Sequence, residues 1–314
     1  MTGFLLRRIG QAVIVVLGVT LVTFMLLHAL PGSLARSIIG PRATPQQIAS
    51  FDKQYGLNRS VWYQYWSYLW ALAHGNLGFS FHLGRPVTSL LSSELPRDLV
   101  LGGISLVLSL VIAIPVGVVQ AVRRNRLGDY VGTGVSFVLY SMPTYALGII
   151  LIQLLAITFH LFPAEAPQSA TTLGLLAHPS GLVLPVATLT LVTYGQFSRY
   201  MRSSAIETLA QDYIRTARAT GLPERLILLR HLLRNSLISV VTLVGVSVPV
   251  IVTGTLIVEQ VFNLPGAGLE YFYAAQSNDY PVMLGITVVV GVVTVLGNLL
   301  ADIGYALLDP RIRY

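Results

Sequence analysis

Ile206-Glu-Thr-Leu-Ala-Gln-Asp-Tyr-Ile-Arg-Thr-Ala-Arg-Ala-Thr-Gly-Leu-Pro-Glu-Arg-Leu-Ile-Leu-Leu-Arg-His-Leu-Leu-Arg-Asn235 is the most polar long segment of a very apolar chain. Its first half has helical periodicity. Ile206, Leu209, Ala210, Tyr213, Ile214 and Ala217 recur at three- and four-residue steps, which places them on one expected helix face. Arg215 and Arg218 project elsewhere. Gly221 predicts the helix stop, because glycine reaches the left-handed conformation without a Cβ clash. Leu222 is the apolar neighbour such a stop uses. Pro223 and Glu224 open a second helix, with proline expected at its first position and an acid at its positive end. The reading is two short helices joined at a glycine bend, held between two apolar runs.

Outward from this stretch the chain turns apolar. Of 314 residues, 54% are hydrophobic and only 11% charged, with a mean hydropathy of +0.70. Soluble domains carry about 25% charged residues, so this composition places the chain in a membrane. The net charge of +7 comes almost wholly from arginines beside apolar runs. They serve topology rather than nucleic acid. There is no cysteine, which excludes a disulfide framework, a Cys-ligated metal and a thiol nucleophile. The only lysine, Lys53, lies in Asp52-Lys53-Gln54. A phosphate-binding P-loop needs Gly-Lys followed by Ser or Thr. Any ATP that drives this protein is therefore hydrolysed by another polypeptide.

Six apolar runs predict membrane spans: Ile9–Leu30, Leu99–Val122, Tyr130–Phe159, Leu182–Phe197, Leu237–Val258 and Val282–Leu308. The first follows Arg7-Arg8 and is longer than a signal-peptide core, so it is read as retained. Pro115 and Pro143 are expected to kink or locally loosen their spans. The fourth run is short and is expected to continue as a helix past Gln196, Ser198 and Arg199. Arg7, Arg8, Arg123, Arg124, Arg126, the seven arginines from Arg199 to Arg234, Arg311 and Arg313 mark the cytoplasmic side, whereas 160–181 and 259–281 hold no arginine or lysine. The stretch 31–98, placed outside, holds six but exceeds the loop length of about 60 residues to which the rule applies. The expected fold is an all-α polytopic membrane protein with six transmembrane helices and both termini cytoplasmic. Residues 1–30 form the N-terminus and first span. Residues 31–98 form an extracytoplasmic region, and 99–314 form a core of five spans carrying the cytoplasmic loop 199–235.

Trp62, Trp66 and Trp70 recur at steps of four within 31–98, on one helix face. An interfacial aromatic belt and a docking surface for an external partner both fit that face. The histidines include no i,i+4 pair and no His-Glu-x-x-His, which argues against a metal site on this chain. Ser105, Ser109 and Ser136 lie in spans where His28 is the only clearly intramembrane histidine. They read as helix-packing residues rather than nucleophiles. Asp302, near the inner end of the last span, is either a gate residue or a structural partner of a cytoplasmic arginine such as Arg311. Tyr140, Gln153 and Asn298 are candidate path-lining residues or interhelical glue. Glu259 is expected at the hydrated outer boundary.

The stretch from Gln211 to Leu222 resembles the coupling loop of bacterial ABC importer permeases, and is most similar to the B-type permeases of dipeptide and oligopeptide importers. The general motif is Glu-Ala-Ala, three residues, then Gly. Gly221 and Ala217 match it, while Arg215 and Thr216 replace its Glu and first Ala. Its downstream Leu-Pro falls on Leu233 and Arg234. Further matches run the length of the chain: Leu30-Pro31-Gly32, Gly75-Asn76-Leu77-Gly78, Gly84-Arg85-Pro86-Val87, Ser141-Met142-Pro143, Glu259 to Gly268, Asp279-Tyr280-Pro281 and Leu308 to Arg313. Ser33-Leu34 departs from the family's frequent Asp-Pro.

The resemblance implies a type I importer permease fold in the bacterial cytoplasmic membrane, without catalysis by this chain. It implies a homologous C-type permease forming a heterodimer, two cytoplasmic ATPases that carry ATP and magnesium, an extracytoplasmic binding protein, and a peptide substrate. This chain would bind no cofactor. Coupling to the ATPases falls on Asp212, Tyr213, Arg215, Ala217, Arg218, Gly221 and Leu222. The dense aromatic face beside acidic, glycine-rich turns makes Trp62, Trp66, Trp70, Pro265, Gly266 and Gly268 the candidates for docking the binding protein or shaping the outer gate. Nickel and glutathione importers of the same family remain alternatives, as does a self-sufficient channel or secondary transporter coupled through Asp302.

Overall fold

The computed structural model describes residues 2–29, 34–40, 42–169 and 171–308; the side chains of 2–9, 12, 34, 37, 246, 248–254 and 300–308 lie outside the description. The side chains of Arg7, Arg8, Leu34 and Asp302, and all of Leu30-Pro31-Gly32-Ser33, Arg311 and Arg313, thus fall outside the description.

Helix α1 covers Thr2–Ala29, followed by the short α2, Leu34–Ile39. Helix α3, Pro45–Tyr55, opens on a reciprocal capping box between Thr44 and Gln47 and stops at left-handed Gly56. Helix α4, Val61–Ala73, is capped by the Ser60 hydroxyl. A two-residue hairpin, β1 Phe79–Ser80 against β2 Arg85–Pro86, leads into α5, Val87–Val122. At 36 residues, α5 reaches about 54 Å and fixes the two ends of the bundle. Its apolar content survives Pro96 and Pro115 without a break.

Helix α6, Leu127–Ser141, and α7, Thr144–Leu151, with its π-helical continuation Ile152–Thr158, replace the single span read over 130–159. They meet at 106°. Met142 and Pro143 take extended backbone between them, so the proline does not kink one helix but starts a second. Helix α8, Thr172–Leu176, precedes α9, Val183–Leu209, which carries the short fourth run onward as expected. Helices α10, Asp212–Ala219, and α11, Glu224–Leu226, are followed by a π turn, Ile227–Leu232. Then come α12, Leu233–Val261, α13, Ala267–Ser277, and α14, Tyr280–Leu308.

Among the described residues four helices are long and apolar enough to cross a membrane, or five if the bent α6–α7 pair counts as one. Described apolar side chains of α1 run from Val13 to Ala29. The core follows from which helices meet: α5 packs on α9, α9 on α6 and α12, α12 on α14, and α14 on α1. Ala113, Tyr194, Phe197, Met201 and Val240 fill the middle of α5, α9 and α12. At the α4 end, Phe24, Leu27, Tyr65, Val87, Leu90 and Val282 close a second cluster. Ser105 and Ser109 are buried within α5. Ser105 Oγ donates to Leu101 O at 2.8 Å, a bond within its own helix.

Candidate functional site

The polar stretch folds as a knob at the α5 C-terminal end of the bundle. It is not built on one helix face from Ile206 to Ala217. Helix α9 stops at Leu209, and Gln211 takes extended backbone at φ −72°, ψ 147° before α10 starts with Asp212 in its first turn. The apolar face is therefore divided. Ile206 and Leu209 pack with Ala121, Ala205 and Leu232 at the end of the bundle, whereas Ile214, Ala217 and Ile227 form a separate small core with Leu222. An acid at the first turn of α10 favours this restart, since the orphan N–H groups there are positive.

The bend at Gly221 is a complete helix stop. Gly221 N–H donates to Arg218 O at 3.0 Å and Leu222 N–H to Ala217 O at 3.2 Å, with Gly221 at φ +78°. These are the paired closing bonds of the Schellman motif, and Leu222 against Ala217 supplies its apolar contact. A Cβ on Gly221 would meet nothing within 4 Å. Glycine is needed there for its backbone, not for space. Pro223, expected at the first helical position, instead caps α11 from outside at ψ 138°, and Glu224 is the first helical residue. The ring therefore ends the turn in extended backbone, and Glu224 is free to reach back across the bend. Its Oε1 accepts from Arg218 Nη2 at 2.6 Å and its Oε2 from Arg218 Nε at 3.2 Å. Glu224 in turn pushes the Arg218 guanidinium further up.

Of the candidate coupling residues, Ala217 and Leu222 face the small core, while Asp212, Arg215 and Arg218 are exposed. Arg215 Nη1 lies 3.3 Å from Asp212 Oδ1. Tyr213 is 43% exposed, and burial of the rest of its ring pushes the phenol up. The knob is fastened to the bundle through one π turn: Ile227 belongs to the knob core and Leu232 to the cluster that joins α5 and α9. A force on α10 thus has a packed route into both long helices.

The opposite end carries a second construction. Glu259, expected in a hydrated boundary, is 0% exposed, and Asp98 beside it is 1% exposed. The burial of both acids has a clear cause. Helix α13 begins at Ala267 with N–H groups that lack intrahelical partners, and the two carboxylates fill them from neighbouring helices. Ala267 N–H donates to Asp98 Oδ2 at 3.0 Å and Leu269 N–H to Glu259 Oε2 at 2.7 Å. Leu264 N–H closes the same turn onto Glu259 O at 2.8 Å. Gly266 permits the approach: a Cβ there would lie 2.4 Å from Glu259 Cδ and 2.5 Å from Asp98 Oδ1. Gly266 and Gly268 are thus buried in this turn, and Pro265 is half-buried. Asp98 escaped the sequence reading. The signal for it was an acid directly before an apolar run, facing a Gly-Ala-Gly turn far along the chain.

Trp62, Trp66 and Trp70 share an exposed face of α4, at 61%, 67% and 71%. The face of α4 turned inward holds Tyr65, whose hydroxyl donates to Leu17 O at 3.2 Å and meets Thr20 Oγ1 at 3.2 Å. Tyr140, Gln153 and Asn298 are exposed on α6, the π-helical continuation of α7, and α14 respectively. Arg199 lies over the Tyr140 ring at 5.0 Å. Among the described residues no group of three or more His, Cys, Asp or Glu could hold a metal ion.

The family model described as binding-protein-dependent transport system inner membrane component matches residues 113–314. The model of the corresponding N-terminal region matches 1–102. Oligopeptide transport system permease protein AppB of Bacillus subtilis (strain 168) is 36% identical over 316 residues, covering 100% of both chains. Dipeptide transport system permease protein DppB of Escherichia coli (strain K12) is 32% identical over 340 residues, covering 100% of this chain and 99% of that one. A solved inward-facing structure of the MetNI methionine ABC transporter matches at a TM-score of 0.58 and 18% identity, covering 71% of this chain and 97% of that chain. This last likeness concerns the fold alone.

Proposed function

The chain belongs to the family of binding-protein-dependent transport system inner membrane components, and from that premise we propose that it is the permease subunit of an ATP-driven importer of dipeptides or oligopeptides. Full-length relatives named as peptide permeases support the substrate class. The observation that carries the mechanism is the Gly221 knob. It presents Tyr213 and a charged rim outward, while its own small core is tied through Ile227 and Leu232 to α5 and α9. A cytoplasmic ATPase seated on α10 would move these helices as a rigid body, and alternating access needs no more than that.

In this reading the chain makes six crossings, with α1 as the first and the bent α6–α7 pair as the third, and both termini are cytoplasmic. A homologous C-type permease completes the path, and two ATPases bring ATP and magnesium. A binding protein delivers peptide at the end carrying α4 and α13, with the Trp62–Trp70 face as its candidate contact. The permease itself supplies no catalytic group. Co-expression with candidate ATPases and a C-type permease, followed by reconstitution, tests this. ATP hydrolysis should rise with peptide-loaded binding protein and fall to the basal rate when this chain is omitted. A chain that purifies alone and moves peptide without ATP would refute it.

A further inference from the structure

A groove of about 500 Å³ opens between the C-terminal turns of α5 and the start of α6. One part of its wall is apolar: Pro115, Val116, Val119 and Leu127. The other is polar: Gln120, Arg123 and Arg126. Among the described residues neither arginine pairs with an acid. Asp129, also in the wall, is already matched. It takes Arg202 Nε at 2.6 Å, Arg202 Nη2 at 2.9 Å and Asn125 N–H at 3.0 Å. The groove therefore keeps a net positive charge. Gln120 is 4% exposed, and its Nε2 has no hydrogen-bond partner. It lies against Gly132, itself part of the wall. A buried donor left without a partner is costly.

We propose that this groove binds an anionic phospholipid, the phosphodiester head held by the exposed Arg123 and Arg126 above buried Gln120 and an acyl chain lying along Pro115, Val116 and Val119. Three features select a lipid over a soluble anion. The apolar wall continues directly into the most apolar membrane-length helix of the described chain. The arginines stand at the end of that helix, where headgroups lie. Basic pockets between spans at this level suit anionic headgroups. The inference rests on the membrane orientation proposed above, but not on the peptide substrate or on the coupling role of Gly221.

The test uses the intact importer complex in mild detergent, with lipid retention read by native mass spectrometry after exposure to phosphatidylglycerol or phosphatidylcholine. Wild type should retain phosphatidylglycerol and not phosphatidylcholine, and excess inorganic phosphate should not displace it. The double variant Arg123→Gln, Arg126→Gln should bind it about thirtyfold more weakly. Arg124→Gln, beside the groove but outside its wall, should behave as wild type. Equal retention by the double variant, equal loss in Arg124→Gln, or retention of phosphatidylcholine would overturn the proposal. Displacement by inorganic phosphate would reassign the groove to a free anion. A double variant that keeps its lipid but loses the ATPases would make it a protein contact. Because the readout is lipid, failure here leaves transport activity intact as an independent test of the permease reading.

Discussion

Arg218 and Glu224 close a two-point ion pair across the Gly221 bend, 2.6 Å and 3.2 Å apart at its two contacts. The pair joins α10 to α11 on the outside, while the Leu222–Ala217 contact joins them within. Both partners are half-exposed, with side-chain exposures of 46% and 50%. Solvent screens such a pair, and its contribution is about 0–1 kcal/mol.

Arg218→Ala and Glu224→Ala are therefore each expected to leave ATPase retention nearly unchanged, and the double variant to match the weaker single one. A double-mutant cycle on ATPase co-purification checks this. A coupling energy well above 1 kcal/mol would mean that the ion pair, not the backbone turn, sets the bend.

At the other end of the molecule the prediction reverses, because steric fit decides there. Gly266→Ala drives a Cβ into the Asp98–Glu259 pair and strips the N–H of Ala267 or Leu269 of its acceptor. Leaving one such buried donor unpaired costs about 1–3 kcal/mol. The purified variant should unfold at a lower temperature than wild type. Gly134→Ala, where a Cβ meets nothing within 4 Å, should not. A wild-type midpoint for Gly266→Ala would contradict the buried-turn account.

The glycine bend was legible in the sequence and the carboxylate turn was not. Gly221, Leu222 and Pro223 sit together, and their local conformations follow from side-chain chemistry within a few residues. Glu259 at the end of an apolar run looks like a hydrated boundary acid. Only the fold brings it and Asp98 under the start of α13, where unpaired N–H groups wait. The break at Gln211 was hidden for a related reason. The spacing from Ile206 to Ala217 suits a continuous helix, and the chain divides it because its two halves pack into different clusters. Likewise, Pro143 predicted a kink within a span, but how far the chain turns there depends on the elements that α6 and α7 meet.

Orientation is open to direct labelling, because the chain has no cysteine of its own. A thiol placed at exposed Ser203 on α9 should react with a membrane-impermeant reagent only after permeabilisation. One at exposed Gln276 on α13 should react in intact cells. Labelling of Ser203→Cys from outside would invert the proposed topology and move the Gly221 knob out of reach of any cytoplasmic ATPase.

The central claim is that the Gly221 bend transmits ATPase motion to the bundle. The φ of +78° at this residue costs an L side chain roughly 1–2 kcal/mol as alanine, and more as β-branched valine. That strain is local and leaves membrane insertion unaffected, but it re-aims α10 relative to the π turn that reaches Leu232. The decisive measurement is uptake of a labelled peptide by cells carrying Gly221→Val, at matched permease abundance. The account predicts wild-type amounts of inserted permease with little uptake; full uptake would show that the bend is only a connector and contradict it.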